Sequence, residues 1–360
     1  MARVRVPIGS SNPQKKHLDA LVKACKEGQV TLFVGAGVSI PYGLPSWEEL
    51  ITGLLLSEDG GRFKNFYPNY RAALSSWMAR NLDFSPVTLG RVYKYKSEKG
   101  EVSPLSDALQ KRLYANFEPG NREGTLLCAL VDLVQEHPGL FPRIVNLNFD
   151  DLLVTALQDA GLPAYARYRS NDLRPGEIAV LHPHGFVPRP GQAVPRQEFV
   201  FTEDEYNRLT LEPFHWAATE LASQIHSYRA FFVGLSMQDP NLRRILDAAK
   251  RKGRPRERRH FLMRRDYSVK HFEIETEVRE LRRLAKRDVE RRFDAGDPRR
   301  DRWVKKTDDE VRRALRRALR QAHEYDRQLF KHLGVNTFWV EEFADMPKVV
   351  EWLNDGLRTE

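Results

Sequence analysis

Short apolar runs bounded by glycine or proline alternate along this chain with longer stretches whose apolar residues recur every three or four positions. Asn12-Pro13 reads as a cap and first-turn pair for a helix through about Glu27, stopped by Gly28. "VTLFV" follows, too short and too β-branched for a helix. Ser46 and Glu49 have capping-box spacing, so a helix should begin at "SWEELITGLLL". Residues 56–142 read as mostly helical, with breaks at Pro68, Pro86, Pro104 and Gly120. "RIVNLNFDDLLVTAL" is a strand giving way to a helix near Asp150, and "EIAVLHPHG", "QEFVF", "YRAFFVGLS", "RRHFLM" and "VNTFWVEE" are further strands. "TEDEYNRL" opens on a threonine cap and "DPNLRRILDAAK" on aspartate and proline, and both should be helices, as should the closing "ADMPKVVEWLNDGL". The alternation predicts an α/β fold, a doubly wound Rossmann-like parallel sheet. Two helical segments interrupt it, 56–142 and about 266–332.

Charge changes the picture of the second interruption. The 360 residues carry a net charge of +9, yet residues 250–332 hold 29 Lys and Arg against 16 Asp and Glu. The remainder has 29 basic and 33 acidic residues, so the basicity belongs to one segment. Its densest run, "KRKGRPRERR" at 250–259, could meet phosphates by releasing counterions. No stacking aromatics are spaced through it, and no helix-turn-helix, zinc or RNA-binding signature is present. An assembly or partner surface is therefore favoured over nucleic-acid contact through 250–332. Val278, Leu281 and Leu284, then Val311, Leu315 and Leu319, recur at helical spacing, which suits an antiparallel pair of charged helices packing on another subunit. A homo-oligomer is expected.

The two cysteines, Cys25 and Cys128, exclude a disulfide framework and a four-cysteine zinc ribbon, and both read as small core residues. They suit a reducing, cytoplasmic setting. No apolar run approaches the ~20 residues of a membrane span, and the start lacks the apolar core of a signal peptide.

"TLFVGAGVSIPYGLPSWEELI" at 31–51 bares its backbone where strand passes to helix. Such a turn either binds an anion through backbone N–H groups or simply turns a corner. A G-x-G-x-x-G fingerprint would need a third glycine where Ile40 stands, and no G-x-x-x-x-G-K-[ST] occurs. Together with "NLNFDDLL", "LHPHGFVP" and "FFVGLSMQDPNL", in that order, the stretch resembles the sirtuin-like NAD-binding superfamily. It looks most like the bacterial antiviral-defence branch that hydrolyses NAD, which includes Thoeris-type and HerA-associated proteins. The resemblance covers about 10–264 and 333–358, with 56–142 where the family has its small helical domain. The implied organisation is an NAD-binding domain over 10–264, a basic helical insertion over 265–332, and a final strand and helix over 333–360. Asn146 stands where a threonine is common in that family.

The resemblance implies that Gly35, Ala36 and Gly37 line the NAD diphosphate, with Ser39 donating nearby. It places Asn148 and Asp150 beside the nicotinamide and its ribose, makes His184 the catalytic histidine, and brings Gly234 and Ser236 to the adenosine side. His182 is the runner-up to His184. On a strand the two would face one side, and a metal pair there is conceivable. Asp239 has a family counterpart but reads equally as the cap before Pro240, while capping explains Thr202 and packing Tyr206. The implied activity is NAD+ glycohydrolysis without a metal, as a triggered, NAD-depleting effector, with a HerA-like ATPase as a possible partner. Nicotinamide is a good neutral leaving group, so the site mainly orients the ribose, places a water and stabilises an oxocarbenium-like centre. An NAD-dependent protein deacylase is the alternative enzyme, against which the missing zinc module stands. A non-enzymatic NAD- or ADP-ribose-binding subunit is the third reading.

Overall fold

All five residues of β1 (Val30–Val34) are buried, as a strand covered on both faces requires. In the computed structural model, which describes residues 13–57, 86–120, 123–170, 172, 174–212, 214–252, 260–268, 279, 283 and 297–359, β1 is the middle strand of the sheet. Its companions are β2 (Arg143–Asn146), β3 (Ala164–Arg167), β4 (Ile178–Leu181), β5 (Arg229–Val233), β6 (His260–Arg265) and β7 (Val335–Val340). The order is β3-β4-β2-β1-β5-β6-β7, and every pairing is parallel. Leu32 lies opposite Ile144 of β2 on one side and Phe231 of β5 on the other. After β1 the chain adds β2 beside it, crosses to the edge for β3, fills the gap between them with β4, then returns to place β5 on β1's other flank. That reversal opens a crevice at the carboxyl ends of the central strands, where sheets of this kind hold their ligands.

Alternate strand residues feed two cores. Val30, Leu32 and Val34 of β1, with Phe231 and Val233 of β5, join one apolar cluster, while Phe33, Ala230 and Phe232 join the other. The first cluster takes in α1 (Pro13–Lys26), α2 (Trp47–Ser57), α5 (Leu126–Glu136), α6 (Leu152–Asp159) and α11 (Met346–Arg358). It also absorbs Leu89 and Tyr93 of α3 (Pro86–Glu98) and Leu109 and Leu113 of α4 (Leu105–Leu113). Helices α8 (Trp216–Ser227) and α9 (Pro240–Lys252) cover the other face, together with the end of α10 (Pro298–His332). The doubly wound parallel sheet is thus as the sequence predicts.

Asn12 lies outside the described residues, and the caps predicted at Ser46 and Thr202 are present. Glu49 N–H donates to Ser46 Oγ at 3.3 Å while the Glu49 carboxylate takes the Ser46 N–H at 2.9 Å. At the start of α7 (Glu203–Leu211), Thr202 and Glu205 form a second capping box. "QEFVF" is not a strand. The Val200 N–H goes to the His184 carbonyl at 2.9 Å and the Phe201 N–H to the Glu205 carboxylate at 2.8 Å, so its backbone has no ladder to join. Phe199, Val200 and Phe201 are nonetheless buried, as irregular cover over the site. Strand β3 and helix α8 are additions to the predicted elements, and "AYAR" is too short for its pattern to mark a strand. The arginine-rich helix begins at Pro298, ten residues before its clearest periodicity, and Asp297 caps it by accepting from the Arg299 N–H at 2.8 Å. Val311, Leu315 and Leu319 share its half-buried face. Val278, Leu281 and Leu284, like the run 253–259, lie outside the described residues.

Cys25 is buried, and burial pushes its thiol up to about 12. Cys128 is half-buried. No described helix is long and apolar enough to cross a membrane.

Candidate active site

The four motifs meet at the carboxyl ends of four adjacent strands, β4, β2, β1 and β5. The glycine loop leaves β1 through a single turn of 3₁₀ helix at Ala36–Val38 and is pressed against the loop that leaves β5. Gly35 N–H donates to the Val233 carbonyl at 3.0 Å and Gly37 N–H to the Gly234 carbonyl at 2.9 Å. A Cβ on Gly35 would lie 2.3 Å from the Leu235 side chain, and one on Gly37 would lie 2.8 Å from the Gly234 Cα. The glycines therefore permit two loops to touch. Val38 and Ser39 N–H groups close the 3₁₀ turn on Gly35 and Ala36, which leaves the Ala36 N–H as the group of this turn without a described protein acceptor. Gly234 itself sits at φ +67°, and buried Met237 at φ +60° is a non-glycine residue in the left-handed region.

These contacts predict a difference between two alanine substitutions. Gly35→Ala meets the Leu235 side chain at 2.3 Å and the Gly234 carbonyl oxygen at 2.8 Å, whereas Gly37→Ala meets Gly234 backbone alone, so both should be destabilising, by roughly 1–3 kcal/mol. Adding Leu235→Ala should restore only part of the stability of Gly35→Ala, because the Gly234 carbonyl still crowds the new Cβ, and none of that of Gly37→Ala, as read from thermal denaturation.

Ser39, 3% exposed, links the loops. Its Oγ accepts from Asn148 Nδ2 at 3.2 Å and donates to the Asp150 carboxylate. The loop carrying Asn148 is shaped by Asn146, whose Oδ1 takes the Asn148 N–H at 3.1 Å, a turn-forming role. Asp150 also accepts the Leu152 N–H at the start of α6. Burial pushes its carboxyl up to about 6, more than these donors hold it down. The folded protein thus keeps a proton that the unfolded chain loses near the ordinary value of 3.8, and stability falls as pH rises from about 4 to about 6. Asp150→Asn should relieve up to about 3 kcal/mol of that burden at pH 7.5 and nothing below pH 4. Urea unfolding at the two pH values checks this, and an equal gain at both would mean that charge burial is not the cause.

His182 and His184 stand beyond the end of β4, in a turn closed by the Gly185 N–H on the His182 carbonyl at 3.1 Å. They do not share a strand face, contrary to the expectation for residues two apart. Each instead donates through Nδ1 to a carbonyl of the β2 loop, His182 to Asn148 at 3.0 Å and His184 to Leu147 at 3.2 Å. Burial drives His182 down to about 4, against the upward pull of its Asn148 bond, so it is neutral and weakly basic. Its Nε2 is buried without a partner. His184 Nε2 faces Asp239 Oδ2 at 3.3 Å. Burial works to raise the Asp239 carboxyl, but His184 and the N–H groups of Leu242 and Asn241 outweigh it and hold it low. The Tyr206 hydroxyl reaches the same oxygen at 3.4 Å, and its ring packs 5.7 Å from that of His184.

Asp239 is thus both things the sequence allowed: Oδ1 caps α9 by accepting the Leu242 N–H at 2.7 Å, and Oδ2 holds His184. Tyr206 does more than the packing that the sequence implies. Only its place four residues after a capping threonine was visible, and nothing in that spacing shows which strand end α7 crosses. Ser236 is exposed at the rim, its carbonyl taken by Arg264. No group of three or more His, Cys, Asp or Glu side chains suited to a metal occurs among the described residues.

A parallel sheet with a glycine turn after its middle strand, and polar side chains gathered at the strand ends beside it, defines a Rossmann-like α/β protein with a candidate ligand site at the strand ends. Within it, residues 142–290 match the SIR2-like domain, which agrees with the sirtuin-like resemblance of the motifs. The chain is also 26% identical over 268 residues to the NAD(+) hydrolase ThsA of Acinetobacter baumannii (strain 532279). That alignment covers 71% of this chain and 47% of the relative, so the chain spans about half the length of the curated protein it matches.

Proposed function

We propose that this protein is an NAD+ glycohydrolase that cleaves the nicotinamide–ribose bond to give nicotinamide and ADP-ribose. The observation that carries the reading is the joining of Ser39, Asn148 and Asp150 into one hydrogen-bonded group, with His184 tied to the same β2 loop through the Leu147 carbonyl, so that three separate strand ends converge. The hydrolase named for the relative adds to it. Gly35, Ala36, Gly37, Gly234 and Ser236 would line the nucleotide, with the Ala36 N–H free to meet an oxygen of the diphosphate. Asn148, anchored through Nδ2, offers its amide oxygen to a water or ribose hydroxyl, while Ser39 fixes the amide's orientation. Asp150, poised near neutrality, would place its charge beside the developing cation. Held at Nδ1 by the Leu147 carbonyl, His184 would take the proton at Nε2 from a ribose hydroxyl or water entering between it and Asp239.

Incubating the protein with NAD decides among the readings. Nicotinamide release without any acyl-lysine substrate supports hydrolysis, and release only with such a substrate would indicate a deacylase. Binding without release would indicate a non-enzymatic NAD-binding subunit. The same assay resolves ADP-ribose from a cyclised product. In the cell we place the activity in the cytoplasm as a triggered, NAD-depleting effector of antiphage defence. Residues 10–264 form the NAD-binding domain in this reading, with 56–142 as its small helical part. The basic insertion 265–332 supports a homo-oligomer, with or without a HerA-like ATPase, and light scattering of a chain with 268–330 replaced by a short Gly/Ser linker tests it.

A further inference from the structure

The insertion does more than stand apart from the site. Arg264, the fifth residue of β6, connects its long helix to the loop after β5. One guanidinium nitrogen donates to the Ser236 carbonyl at 2.6 Å, and another pairs with Asp326 of α10 at 2.7 Å. The guanidinium also lies 5.2 Å from the ring centre of Phe330, one helical turn further along α10. Both ends of the bridge are partly shielded, with side-chain exposures of 22% and 21%. Asp326 in turn takes the Tyr267 hydroxyl at 2.6 Å. Close by, His323 faces Asp266 at 3.2 Å and packs on Trp339 of β7 at 4.3 Å. The last third of α10 is therefore stitched to the sheet edge, and Arg264 is the stitch that reaches the loop carrying Ser236.

We propose that Arg264 is a positioning residue through which α10 sets the conformation of the Gly234–Asp239 loop, and with it the affinity for the nucleotide. A planar guanidinium can serve the carbonyl and the carboxylate at once, which a lysine ammonium on a flexible stem does not reproduce. The same loop supplies Gly234, against which Gly37 packs, and Asp239, which holds His184. A shift at its Ser236 end is therefore felt on both sides of the crevice. The nucleotide part of the inference rests on the NAD reading above, whereas the loop part stands without it.

The test uses the full chain carrying Arg264→Lys, Asp326→Asn and the double substitution. Each single change is expected to raise KM for NAD about 3- to 30-fold with kcat within about twofold, and the double should be no worse than the poorer single. Tyr267→Phe removes a different bond to the same carboxylate and should leave KM unchanged, although it loses stability as well. Amide hydrogen exchange at 234–238 should quicken in Arg264→Lys and Asp326→Asn, and this readout needs no catalysis. Unchanged exchange, a multiplicative double mutant, or a KM effect equal to that of Tyr267→Phe would overturn the proposal. Faster loop exchange in a protein that neither cleaves nor binds NAD would uphold the bridge and defeat the NAD reading instead.

Discussion

Asn148→Ala is expected to lower nicotinamide release by on the order of 10²- to 10⁴-fold while NAD still binds. The separation follows from the proposed reading, in which the turns after β1 and β5 would hold the nucleotide and the bond would be broken beside the loop after β2. Removing the amide leaves the Ser39–Asp150 bond in place, and the fold should tolerate it, since Asn148 is only partly buried. The Asn148 backbone still receives His182 and still donates to Asn146, so the loop keeps its shape. Calorimetry with NAD, run beside the activity assay, is the check. Joint loss of binding and turnover would make Asn148 a binding or structural residue.

The second large effect separates the two histidines. His184→Ala should lower turnover by on the order of 10²- to 10⁴-fold and leave folding nearly intact. His182→Ala should act mainly on stability, because that ring is fully buried and packs at 4.9 Å against Phe186. Truncating such a ring costs about 2–5 kcal/mol, the range for large core side chains. A histidine held near 4 also accepts a proton poorly at neutral pH, which argues against His182 as the base. Asp239→Asn keeps the cap on α9, because asparagine caps well, but changes the group facing His184 Nε2. A loss of about 10- to 100-fold in kcat with normal stability is expected, in line with other groups that orient a functional imidazole. Full activity in His184→Ala with loss in His182→Ala would exchange their roles.

Much of the site was legible because its residues sit in short local patterns that backbone chemistry constrains. "GAGVS", "NLNFD" and "HPHG" each mark a strand end by a turn residue, and strand ends are where an α/β sheet gathers ligands. The partners of those residues were less visible. Tyr206 lies 22 residues beyond His184 and Asp239 another 33, and no periodicity links positions on different strands. The expectation that His182 and His184 share a face failed for a related reason. It assumed that β4 continues, but the Gly185 N–H bond to the His182 carbonyl ends the strand at Leu181.

By itself the sequence determined the elements and the order in which they alternate. Hydrophobic period, caps and turn residues act over one to four positions, so β1, α2, α7 and α9 could be placed from their own residues. Tertiary structure alone decided which strand ends are neighbours, and therefore that His184 meets Asp239 and that Arg264 reaches Ser236. It also decided why the glycines of the first loop are glycines. The sequence suggested an approach by a phosphate, whereas the fold shows that the loop after β5 approaches them, the Leu235 side chain at Gly35 and the Gly234 backbone at Gly37. Contacts between residues 200 positions apart depend on how the sheet is wound, and winding is a property of the assembled core.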